Sequence, residues 1–157
     1  MNPVRRWAAG WVFSGVWRVS AKHHIGPMTV AVLGTPEQPV LARMNEAIEL
    51  LLQYDQDAYG RLQESLHRLI VADTSPERVF PARHLLVLPI TARQLTARRL
   101  AAVLAHYGAI AQLEMTSPRI AQRDLRRKAL EAELSFVSHL PNSWEEISHL
   151  MELLKSS

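Results

Sequence analysis

Apolar positions along the chain recur with two periods, and the segments they mark are separated by turn-forming residues. Over Pro3–Ser20, Trp7, Trp11, Phe13, Val16 and Trp17 spread around most of a helical wheel, the pattern of a helix that is buried or lies in a lipid interface. Gly10 and Gly15 weaken that helix by about 1 kcal/mol each relative to alanine. Met28–Leu33 (MTVAVL), set between Gly26-Pro27 and Gly34, predicts a strand. Thr35-Pro36-Glu37-Gln38 supplies a capping hydroxyl, a first-turn proline and a capping-box glutamine. Leu41, Met44, Ile48, Leu51 and Leu52 then carry a helix to about Tyr54. A further helix is expected from Tyr59, Leu62, Leu66, Leu69 and Ile70, ending near Asp73. Thr74–Ala82, with two prolines, reads as a loop. His84–Leu88 reads as a second strand, stopped by Pro89.

Three helices complete the pattern. One runs from about Gln94 to Glu114, with Leu100, Val103, Leu104, Tyr107 and Ala111 facing the core. The next opens at Ser117-Pro118 and reaches about Leu140. The last opens at Ser143, with Glu146 at capping-box spacing. The sum is an α+β fold, predominantly helical, with two short strands and about six helices. Residues 1–25 form a tryptophan-rich helical segment and 26–157 a single domain.

Composition narrows the functional classes. At 157 residues with 48% hydrophobic and 21% charged residues, the chain can bury a core and is not disordered. The absence of cysteine excludes disulfides, thiolate metal sites and a cysteine nucleophile together. The Trp7–Trp17 run, between Arg6 and Arg18, falls short of the ~20 residues that cross a bilayer, and no signal peptide is read. A cytoplasmic protein is expected. Trp7, Trp11 and Trp17 beside Arg5, Arg6, Arg18 and Lys22 would suit a membrane surface, while packing on the domain is slightly preferred.

Several constellations fail on chemistry. Asp55-Gln56-Asp57 opens like a calcium loop, but Tyr59 and Leu66 stand where oxygen ligands belong, so it reads as a helix junction. His23-His24 point in different directions, which disfavours a shared metal; a polar linker accounts for them better. No phosphate-binding glycine loop or serine elbow is present. Arg119, Arg123, Arg126 and Arg127 share one helical face, an anion-binding pattern. Asp124 pairs with Lys128 at i, i+4, Glu131 follows Arg127 by one turn, and no aromatic interleaves, so a solvated face is preferred and nucleic acid is not expected.

The stretch Leu100–Leu113, LAAVLAHYGAIAQL, resembles the active-site helix of small bacterial zincin-like proteins, in which an apolar run leads into His-Glu-x-x-His. The strand ending in Pro89 and the turn before the helix fit the same pattern. Arg127–Phe136 resembles the family's second helix, which supplies an acidic residue before a Leu-Pro stop, here Leu140-Pro141. The resemblance spans Met28–Leu154 and implies a minimal zincin-like core.

The motif itself is broken. Histidines at i and i+4 lie about 40° apart on one helical face and can grip one zinc while the intervening glutamate activates water. Here His106 takes the first ligand place, Tyr107 the place of the general base, Ile110 that of the second histidine, and Glu133 the downstream acidic place. One histidine and one carboxylate are too few for a catalytic zinc site. The resemblance therefore implies a non-catalytic, metallopeptidase-like domain, with no metal and no cofactor. A protein or peptide partner would be held by a remnant cleft around His106, Tyr107, Ile110 and Glu133. The alternative is an accessory protein that binds nucleic acid or an anionic membrane through the arginine face.

Overall fold

The computed structural model describes residues 3–34, 37–72, 77–89, 91 and 94–156, with side chains from Trp11 onward. The first helix, α1, is Pro3–Val19. A hairpin follows, β1 (His23–Ile25) and β2 (Met28–Val32), then α2 (Gln38–Tyr54) and α3 (Gln56–Ser65). Next come β3 (Arg68–Ala72), β4 (Arg78–Phe80), a 3-10 turn over Pro81–Arg83, and β5 (Leu85–Pro89). The chain ends in α4 (Ala97–Thr116), α5 (Gln122–His139) and α6 (Trp144–Ser156). The fold is α+β and predominantly helical.

The strands form one sheet of order β1-β2-β3-β5-β4. β2, β3 and β5 are parallel, whereas β1 and β4 run antiparallel to their neighbours at the two edges. Joining β2 to a parallel β3 needs a long crossover, which α2 and α3 provide.

Alternation along the central strands divides the core into two layers. Val30, Leu69, Val71, Leu86 and Leu88 face α2–α5 in the main core. Ala31, Ile70, Ala72, Leu85 and Val87 point the other way, into a smaller cluster closed by Phe80, Phe13 and Trp17. Phe13 and Phe80 meet with ring centroids 5.9 Å apart. The described half of α1 thus packs on the back of the sheet, and the 25/26 boundary falls inside the β1–β2 turn.

The sheet is larger than the expected two strands, and each addition has a physical cause. Leu66, Leu69 and Ile70 suit one helix face, but α3 stops at Ser65 and Leu66 takes an extended φ of −141°. Leu69–Ala72 are all buried, alternately into the two layers, so their continuous apolar run is that of a central parallel strand. Within the expected 74–82 loop, Arg78–Phe80 pairs with β5; residues 73–76 lie outside the described ones. His23-His24 is an edge strand, not a linker: His23 Nε2 lies 2.6 Å from Glu37 Oε1, and His24 Nδ1 lies 3.2 Å from Thr29 Oγ1.

Helix starts shift for similar reasons. Thr35-Pro36 lie outside the described residues; α2 begins at Gln38 with Pro39 in its first turn. α4 begins at Ala97, where Thr96 accepts a bond from the Arg99 amide. Ser117 closes α4 rather than opening α5. Ser143 donates back to the Leu140 carbonyl, and Glu146 pairs with Arg98, so no capping box forms there. Asp55 does cap α3, accepting from the Ala58 amide at 2.8 Å, as a helix junction requires.

Gly26 turns the β1–β2 hairpin with φ +53°, and an added Cβ would lie 2.7 Å from Ile48 Cγ2. Gly26→Ala combines left-handed strain with that clash, so a loss of about 2 kcal/mol is expected by denaturant titration.

Candidate functional site

The faces of α4 and α5 that meet carry one polar cluster. Glu133 is buried on α5, only 5% exposed, among Leu130, Phe136 and Val137 of the same helix face. Arg99 Nη1 donates to its Oε1 at 2.7 Å, and His106 Nδ1 lies 3.0 Å from its Oε2. A carboxylate only accepts, so an imidazole hydrogen sits on Nδ1, and Nε2 is the one ring nitrogen that could offer a lone pair to a metal. Arg99 and His106 are seven residues apart on α4, two turns along one face, which is why both reach one carboxyl group.

The four residues of the expected cleft sit differently. His106 and Glu133 are in direct contact. Tyr107 packs against the main core, its ring edge-on to His106 at 5.2 Å. Burial, then the Glu77 and Glu133 carboxylates, push its phenol up to about 12, so it stays protonated at neutral pH and cannot serve as a base. Ile110 is half-buried one turn further along α4.

A zinc ion does not fit this donor set. Both oxygens of Glu133 are already engaged by N–H donors, one imidazole lone pair remains, and Ile110 offers none. Among the described residues, no three His, Cys, Asp or Glu side chains are grouped to hold a metal.

Beside the cluster lies a hollow of about 250 Å³ lined by Glu77, Leu88, Pro89, Thr91, Leu95 and Val103, among others. Val103 is one helical turn before Tyr107. Glu77 immediately precedes β4, whose outer edge pairs with no strand among the described residues.

No protein-family model, curated protein or solved structure matches the chain.

The arginine face is smaller than its spacing implied. Arg119 lies in the turn before α5, leaving Arg123, Arg126 and Arg127 on the helix, all exposed. Arg127 pairs with Glu131 at 3.1 Å. Of the tryptophans, Trp17 packs on the sheet and Trp11 is 53% exposed under the Arg83 guanidinium, while the Trp7 side chain lies outside the described ones. No helix among the described residues is long and apolar enough to cross a membrane.

Sequence reasoning missed Arg99 and Glu77. Arg99 carried a signal, its i, i+7 spacing from His106. Glu77 had none, because only the pairing of β4 with β5 brings it near α4.

Proposed function

We propose that this is a non-catalytic, metallopeptidase-like domain that holds an extended peptide segment of a protein partner. The observation that carries the reading is the hollow in which Leu88, Leu95 and Val103 stand with Glu77, Thr91 and Gln94. A hollow that sets apolar side chains next to a carboxylate can take neighbouring side chains of an extended segment. Glu77 at the rim favours a basic residue in the segment. The Arg99–Glu133–His106 cluster supports binding over cleavage, since the carboxylate is neutralised by a guanidinium and no activated water is implied. It holds α4 against α5 and so fixes the wall that Val103 presents.

A photo-crosslinking residue at position 103 should capture extended peptides with an apolar residue next to a basic one, and Glu77→Lys should reduce capture about tenfold. Capture that ignores Glu77→Lys, or that maps to α5 or α6, would remove the hollow from the account.

A further inference from the structure

On the opposite face of the sheet, Arg18, Arg68 and Arg83 line a cavity of about 140 Å³ together with Ser14, Trp17 and Leu85. Arg68 and Leu85 are partners across β3 and β5, so both project toward α1. Arg83 comes from the 3-10 turn before β5, and Arg18 from the last turn of α1. Arg68 lies 5.9 Å from the Trp17 ring centroid, and Arg83 lies 4.5 Å from that of Trp11 while donating to Ser14 Oγ. Indole contacts thus hold two of the guanidiniums in place.

Among the described residues, the charge around this cavity is uncompensated. None of the three arginines pairs with a carboxylate among the described residues. The chain has no Asp or Glu before Glu37, so α1 and the hairpin after it bring only cationic groups. Lys22 adds another near Trp17, 5.8 Å from its ring. Converging guanidiniums repel one another, and a planar fork is the group best suited to an oxyanion. The cavity is also well below the ~300 Å³ at which pockets enclose a whole organic ligand, so it suits a single anionic group.

We propose that this cavity binds a phosphate group bearing two charges, as in inorganic phosphate or a phosphomonoester, with Arg18, Arg68 and Arg83 as its donors and Trp17 as its wall. The site is separate from the peptide hollow, which lies on the other face of the sheet.

The test follows the Trp17 indole N–H resonance of the full-length chain as inorganic phosphate is added at constant ionic strength. A saturable shift is expected, weakened about tenfold or more in Arg18→Gln and in Arg68→Gln, since each removes a charge-assisted bond. Arg126→Gln, on α5, should leave it unchanged. Arg18 is exposed and makes no side-chain hydrogen bond to another described residue, so its variant keeps the test valid if Arg68→Gln disturbs α1. A second arm uses phosphatidylcholine vesicles with and without phosphatidic acid. Arginine-dependent recruitment to phosphatidic acid assigns the phosphate to a lipid headgroup, and phosphate binding without recruitment assigns it to a soluble ligand. An unsaturable shift, or one that Arg18→Gln leaves intact, would overturn the proposal.

Discussion

Arg99→Ala is expected to destabilise the fold by about 3 kcal/mol, more than Glu133→Leu, although both changes break the same ion pair. Removing the arginine leaves a buried carboxylate with His106 as its one remaining partner, and an under-compensated buried charge typically costs about 3–5 kcal/mol. The lower end applies because Arg99 is half-exposed and water can enter where it stood. Removing the carboxylate instead leaves a guanidinium that already reaches solvent and an imidazole that is itself 20% exposed. Leucine also fills the space among Leu130, Phe136 and Val137. In a chain of this size the loss in Arg99→Ala corresponds to roughly 6–12 °C in melting temperature. The paired variant Arg99→Met with Glu133→Leu should recover most of it. Equal losses from the two single changes would mean that the pair contributes little and that α4 and α5 are held by apolar packing alone.

That asymmetry concerns a contact only partly legible in the sequence. His106 and Glu133 could be assigned to successive helices, and it was the resemblance to a zinc-peptidase helix pair that grouped them in one cleft. Their closure by Arg99 required the relative rotation of α4 and α5, which side-chain packing sets and periodicity does not. The sheet was under-read for a related reason. Leu66, Leu69 and Ile70 satisfy a helical template, and only burial of Leu69–Ala72 on both faces distinguishes a central strand from the end of α3. β4 is three residues long, too short to show a period. Arg18, Arg68 and Arg83 stand far apart in the chain, and they converge only because α1 folds back over β3 and β5. The helices, by contrast, were legible because apolar spacing is local, although the caps expected at Ser117 and Ser143 are not the ones formed.

Completing a histidine pair on α4 gives the second large expected effect. Tyr107→Glu with Ile110→His would place a second imidazole one turn after His106, on the same face as the first. Zinc is then expected to raise the melting temperature of the double variant, by mass action worth about 2.7 kcal/mol at a hundredfold excess over the dissociation constant. The response should be larger with Arg99→Ala added, because that change frees one oxygen of Glu133, and it should vanish with Glu133→Ala. The native chain should show none. Burying a histidine at position 110 and a glutamate at 107 will lower the stability of the metal-free form, so the zinc-dependent shift is the quantity to compare. A double variant that folds and ignores zinc, or responds equally without Glu133, would make the resemblance of this helix to a zinc-peptidase helix coincidental.

The central claim is that the hollow beside β4 holds peptides without cutting them. Mass spectrometry of peptides retained from a random-sequence mixture reads binding and cleavage in one measurement. Retained peptides are expected to be intact, and Val103→Glu, which puts a second carboxylate into the hollow that Glu77 lines, is expected to reduce retention about tenfold. Retained fragments whose formation requires His106, or retention indifferent to Val103→Glu, would contradict it.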